Sequence, residues 1–265
     1  ADVFRVIGER KDEDFSCWTL RHCSGRNCDS MVRSFHSRRK RVKKPILRAI
    51  FVDFGNVCAT YDFNRFIKSF SQATKVPMAE IEAALRKKAV GRKGYEGYSP
   101  LFASFECGEI GSMNFFHALS AVLGCSMRTD YNTFARLWVN IFDGENADLD
   151  KLLLELPQKK YLLSNANALV NERYIAHCAI VRNHFPLYEQ RILSCNVGAI
   201  KPNSFIYKAA WARADVKPEQ SLFLDDIPEN IEAWRAEGGH GIVYHAGKHS
   251  IKELRKKLRA FEMAA

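Results

Sequence analysis

Ile50-Phe51-Val52-Asp53-Phe54-Gly55-Asn56-Val57 reads as an apolar strand that ends in a single carboxylate and passes at once into a glycine turn. Such an unbroken apolar run matches a strand buried on both faces of a parallel sheet. In open α/β sheets, ligands bind in the crevice outside the carboxyl ends of the strands. Asp53 is therefore placed for chemistry, with Gly55 letting the backbone approach a ligand closely. Asp53 is the candidate nucleophile. On this stretch alone the plainer reading, an Asp that only starts a turn, is slightly favoured, because short Asp-x-Gly strings are common.

Three later segments shift that balance. Tyr161-Leu162-Leu163-Ser164-Asn165 is a second apolar strand ending in a hydroxyl and an amide, and Ser194 to Pro202 brings Lys201 just ahead of a helix. Ser221-Leu222-Phe223-Leu224-Asp225-Asp226 is a third such strand, ending in paired carboxylates. Nucleophile, hydroxyl, lysine and acidic pair, in that order, resemble the four motifs of the haloacid dehalogenase (HAD) superfamily of phosphatases and related hydrolases. The resemblance covers residues 46 to 245, and the order of four motifs is far more specific than any one of them. The wording is closest to members with a helical cap after the first strand, namely bacterial glucose-1-phosphate phosphatases and the phosphatase half of soluble epoxide hydrolases. The fold this implies is a Rossmann-like doubly wound parallel sheet with an inserted α-helical cap domain. Its expected divisions are a HAD-like core over 46–61 and 143–265 and a cap over 62–142.

The chain has 265 residues, of which 47% are apolar, enough for a proper core. Its net charge of +10 is uneven: residues 1–45 hold 12 Lys and Arg against 6 Asp and Glu. The basic character is largely a feature of that leader. The leader lacks sustained periodicity and is expected to be disordered, with Met31 a candidate initiator. Cys17, His22, Cys23 and Cys28 lack the paired Cys-x-x-Cys spacing of a zinc knuckle. Arg38-Arg39-Lys40-Arg41-Val42-Lys43-Lys44 reads as a solvated basic tether, with contact to nucleic acid or an anionic surface as the weaker alternative. Cys58, Cys178 and Cys195 lie in or beside apolar segments, as reduced core thiols do, which points to the cytoplasm. No apolar run is long enough to span a bilayer.

Beyond Asp53 the pattern turns helical through Phe142. Phe63, Phe66, Ile67 and Phe70 repeat at helical spacing, and Pro77, Met78, Ile81 and Leu85 open a second helix. These aromatics read as helix-packing core. The loop from Gly91 to Tyr98 reads either as a source of substrate contacts or as a plain connection. Ser112 is expected to cap the helix after it. From Asp148 onward strands and helices alternate, with His240 to Tyr244 as the last strand and Ile251 to Met263 as a surface helix.

In the phosphatases that the motifs resemble, the first Asp attacks phosphorus and forms an aspartyl-phosphate, so the resemblance gives that role to Asp53. Asp53, Asp225 and Asp226 brought together would repel one another, and a hard, oxygen-lined site that touches phosphate suits Mg²⁺. The expected ligands are Asp53, the Gly55 carbonyl and Asp226, with Asp225 either a further ligand or a group behind them. Ser164, with the backbone N–H of Asn165 or Ala166, would bind phosphoryl oxygens, and Lys201 would offset charge on phosphate and nucleophile. One position departs from the pattern. Most phosphatases of the superfamily carry a second Asp two residues after the nucleophile, which protonates the leaving group; here that residue is Gly55. Loss of such a group typically costs roughly 10²–10⁴-fold in rate. Asp62 is the one nearby carboxylate that could substitute. The leading expectation is a Mg²⁺-dependent phosphatase acting on a small phosphorylated metabolite, foremost a sugar phosphate. The alternatives are C–halogen hydrolysis by the same Asp, and a non-catalytic phospho-ligand binder.

Overall fold

The computed structural model describes residues 46–86 and 97–263. The leader and most of the glycine-rich loop, and with them the tether and zinc readings, lie outside the described residues. A five-stranded parallel sheet forms the centre, built from β2 (Ala49–Val52), β5 (Lys159–Ser164), β6 (Arg191–Leu193), β7 (Ser221–Asp225) and β8 (His240–Val243). The order is β6-β5-β2-β7-β8, so the strand that carries Asp53 is central and pairs Val52 with Leu162 on one side and Leu224 on the other. Two short ribbons complete the strands: β1 (Ile46–Leu47) beside β9 (Glu262–Met263), and β3 (Ala59–Tyr61) antiparallel to β4 (Phe142–Glu145).

Every residue of β2 is buried, because the pleat sends successive side chains into two separate apolar layers. Ile50 and Val52 join Leu162, Leu222 and Leu224 on one face, while Phe51 packs with Tyr161, Phe223 and Trp234 on the other. The helices α6 (Ala147–Glu155), α7 (Ala168–Arg173), α8 (Ala179–His184), α9 (Ser194–Val197), α10 (Ser204–Ala214), α11 (Pro228–Ala236) and α12 (Ile251–Leu258) connect and follow the strands. The last of these stops at Leu258, five residues short of its expected end at Met263.

Between β3 and β4 the chain leaves the sheet and forms α1 (Phe63–Thr74), α2 (Met78–Arg86), α3 (Pro100–Glu106), α4 (Ser112–Val122) and α5 (Tyr131–Val139). Phe66, Phe70, Phe105, Phe115, Phe134 and Trp138 bury one another there, with Phe105 and Phe115 stacked at 4.1 Å. The helical spacing of aromatics is thus helix packing, except that Phe63 also reaches the cavity described below. Ser112 does not cap α4. Gly111 holds the cap position, and no side chain bonds the first turn.

Candidate active site

β2 carries Asp53 to the carboxyl edge of the sheet, and its two neighbours bring Ser164 from β5 and Asp225 with Asp226 from β7. Lys201 reaches the same place from the loop before α10. The Asn165 side chain fixes that loop: its Oδ1 accepts the Lys201 N–H at 2.7 Å and its Nδ2 donates to the Lys201 carbonyl at 3.1 Å. The Lys201 ammonium, in a residue only 3% exposed, donates to the Leu163 carbonyl at 3.1 Å and to Asp225 Oδ2 at 2.7 Å. It also lies 2.8 Å from Asp53 Oδ1. A buried ammonium is tolerated only with such a complete set of acceptors.

Asp53, Gly55, Ser164, Asn165, Lys201 and Asp226 all line one cavity of about 320 Å³. Two of the expected residues are not on its wall. Asp225 is fully buried and both its oxygens are engaged, Oδ1 by the Ile227 N–H and Asn230, Oδ2 by Lys201 and Asn230. Its place is behind the site, holding Lys201, rather than open to a ligand. Asp62 is outside the cavity wall; its Oδ1 accepts the Asn64 N–H at 3.0 Å and caps α1, so it does not stand where the missing acid would. The Ala166 N–H, one of two donors expected for phosphate, is already given to Ser194 Oγ at 2.9 Å.

Comparison of the fold with solved structures places it. A HAD-like family hydrolase from Porphyromonas gingivalis superposes with a TM-score of 0.66 at 24% identity over 80% of this chain and 98% of the other. The chain has the HAD-like hydrolase fold. A HAD family enzyme from Bacteroides thetaiotaomicron, solved with magnesium and inorganic phosphate, gives a TM-score of 0.65 at 20% identity, covering 79% of this chain and all of the other. In sequence, the bifunctional epoxide hydrolase 2 of Mus musculus is 37% identical over 65 residues, 24% of this chain. That stretch spans 12% of the mouse protein. No family model matches the chain.

At the mouth of this HAD-like sheet, carboxylates outnumber cations. Among the described residues Asp53, Asp225 and Asp226 bring ligand oxygens within 4.8 Å of one another. Burial pushes the Asp53 carboxyl up to about 7; Lys201 opposes the shift, and Asp225 and Asp226 add to it. Asp226 is raised too, by burial first, with its hydrogen bond from Asn56 Nδ2 at 3.0 Å working the other way. Burial works against charge on Lys201, yet Asp225 and Asp53 outweigh it and hold its proton more firmly than usual. Asp53 Oδ1 is buried and receives no well-aligned hydrogen bond. Crowded carboxylates with an under-used oxygen fit a hard divalent cation, for which Asp53, Asp226 and the Gly55 carbonyl are the available donors.

Further residues at or beside this cavity were passed over in the sequence. Asn56, at φ 55°, takes the left-handed conformation that Asn tolerates and turns its amide to Asp226. The Gly-Asn pair after the nucleophile was the signal for it. Glu106 closes the side of the cavity nearest α3, its Oε1 accepting from Asn167 Nδ2 at 2.6 Å. Burial pushes its carboxyl up to about 7, against the pull of that hydrogen bond. A lone acid on the apolar face of a helix was the signal here. Tyr61, Phe54, Phe63 and Phe142 supply an aromatic wall, which Tyr98, from the loop read as a possible source of substrate contacts, also joins. Burial and then the fields of Asp226 and Asp53 push the Tyr61 phenol up to about 12, so it keeps its proton.

Proposed function

We propose that the chain is a Mg²⁺-dependent phosphatase that hydrolyses a small phosphorylated metabolite, foremost a sugar phosphate, through an aspartyl-phosphate on Asp53. The observation that carries this reading is Asp53 itself, 6% exposed, ion-paired with Lys201 and facing a cavity that also presents Ser164 and Asp226. Asp53, Asp226 and the Gly55 carbonyl would hold Mg²⁺, which would neutralise charge on the phosphoryl oxygens and offset the burial and carboxylate repulsion that raise the Asp53 carboxyl. Lys201 orients the Asp53 carboxylate and offsets its charge, and Asp225 and Asn230 hold Lys201 in place. The Ser164 hydroxyl donates to a phosphoryl oxygen. Helices α1–α5 act as a cap over the sheet edge. Their aromatic faces suit the apolar face of a sugar ring, and Glu106 and Asn165 suit its hydroxyls.

Cys58, Cys125 and Cys178 are buried free thiols, which supports a reducing compartment such as the cytoplasm. Among the described residues no helix is long and apolar enough to cross a membrane. The test is a panel of phosphorylated metabolites, with p-nitrophenyl phosphate, assayed with and without Mg²⁺ beside halide release from a haloacid. Mg²⁺-dependent phosphate release that Asp53→Asn abolishes supports the proposal. Halide release without phosphate release would move the assignment to the dehalogenase reading, and saturable phosphate binding with no turnover would move it to a binder.

A further inference from the structure

The position two residues beyond Asp53 has no side chain, and the structure shows what fills that space. A Cβ built on Gly55 would lie 3.4 Å from Tyr61 Cδ1 and 2.8 Å from Cε1, the latter closer than real Cβ atoms approach a neighbour. Gly55 is not among the residues with positive φ, so the tyrosine ring, and not the backbone, excludes a side chain there. The ring arrives from β3 at a register shift: Thr60 pairs with Gly144, but Tyr61 pairs with Phe142. Irregularities of this kind re-aim a side chain beside a site. Tyr61 lines the cavity with Asp53 and Asp226, and among the described residues its hydroxyl has no hydrogen-bond partner. Asp62, the next residue, is turned away to cap α1.

We propose that Tyr61 is the catalytic residue that serves the leaving group: its hydroxyl donates a hydrogen bond to the bridging ester oxygen as the phosphorus–oxygen bond breaks. This rests on the phosphatase reading above. Asp53 Oδ forms the new bond to phosphorus. The electron pair of the broken bond passes to the ester oxygen, whose charge the Tyr61 O–H stabilises, and that oxygen then takes its proton from water. Tyr61 keeps its own. Water next attacks the aspartyl-phosphate, returning the Asp53 carboxylate and releasing phosphate. Glu106 and the Tyr98 phenol are the other hydrogen-bonding acids on the wall, but Asn167 engages Glu106 and Asn165 engages Tyr98.

The experiment measures kcat/KM of the Mg²⁺-loaded full chain on aryl and alkyl phosphate monoesters of graded leaving-group pKa. Wild type and Asp53→Asn are read first; no Asp53-dependent turnover sinks the phosphatase reading and this role with it. With turnover present, Tyr61→Phe, which keeps the ring, is expected to slow alkyl esters roughly 10²-fold. p-Nitrophenyl phosphate, whose leaving group needs no help, should fall far less, and the inhibition constant for inorganic phosphate should stay as in wild type. Gly55→Asp alone should be poor on every ester because of the ring, and Gly55→Asp combined with Tyr61→Ala should recover alkyl turnover. Equal losses on both ester classes, or steepening by Glu106→Gln while Tyr61→Phe is neutral, would overturn the assignment. Thermal melting of each variant separates these outcomes from a failure to fold.

Discussion

Lys201 donates to the Leu163 carbonyl and to Asp225, and its ammonium lies 2.8 Å from Asp53 Oδ1 as an ion pair. Lys201→Ala would leave two buried carboxylates facing each other. It should cost roughly 3–5 kcal/mol of stability, beyond any loss of turnover, and urea denaturation checks it. A loss below about 1 kcal/mol would mean that water reaches the pair, as it does for exposed ion pairs. Asp62, by contrast, works as a cap: Asp62→Ala should cost about 1 kcal/mol and leave the leaving-group dependence of the rate as in wild type. Asp53, Ser164 and Asp226 were legible in the sequence because each ends an apolar run, and a parallel sheet aligns such ends. Tyr61 was not, since its proximity to Gly55 comes from a register shift between two short strands that no local pattern announces.

At the scale of elements, the central strands were legible because burial on both faces demands unbroken apolar runs, as in β2, β5 and β7. Their order across the sheet was not, since nothing in Leu162 or Leu224 says that both flank Val52. A helix end is hidden in sequence where a distant residue, or none, does the capping. Ser112 was misread at α4, and α8, for which no cap was read, shows the distant case. Its cap residue Cys178 offers no side-chain bond, but Glu145, from β4, accepts the Ala179 N–H at 2.9 Å and the Ile180 N–H at 2.7 Å. A carboxylate at a helix N-terminus satisfies orphan donors and complements the helix dipole. Glu145→Ala should therefore destabilise by about 1 kcal/mol or more, with the loss seen as faster amide exchange at 179–182. Exchange unchanged there would show that α8 is held by Ile180 and Val181 packing alone.

Across the whole molecule, Glu106 ties the inserted helices to the sheet. Its carbonyl accepts Ser194 Oγ at 2.6 Å, and its carboxyl meets Asn167 Nδ2, both partners lying beyond strands of the central sheet. Burial raises that carboxyl from 4.5 to about 7. The folded state therefore binds the proton more tightly than the unfolded chain does. The contribution of Glu106 to stability is greatest below about 4.5, falls as pH rises towards about 7, and is flat above, where both states are ionised. Over that window the shift amounts to on the order of 3 kcal/mol. Glu106→Gln, which cannot ionise but keeps an oxygen for Asn167, removes this dependence. Its denaturation midpoint should match wild type near pH 4 and exceed it near pH 8, the gap opening between those values. Parallel curves for the two proteins would mean that Glu106 is solvated when charged, and that the tie between α3 and the sheet is held by Ser194 and the apolar contacts instead.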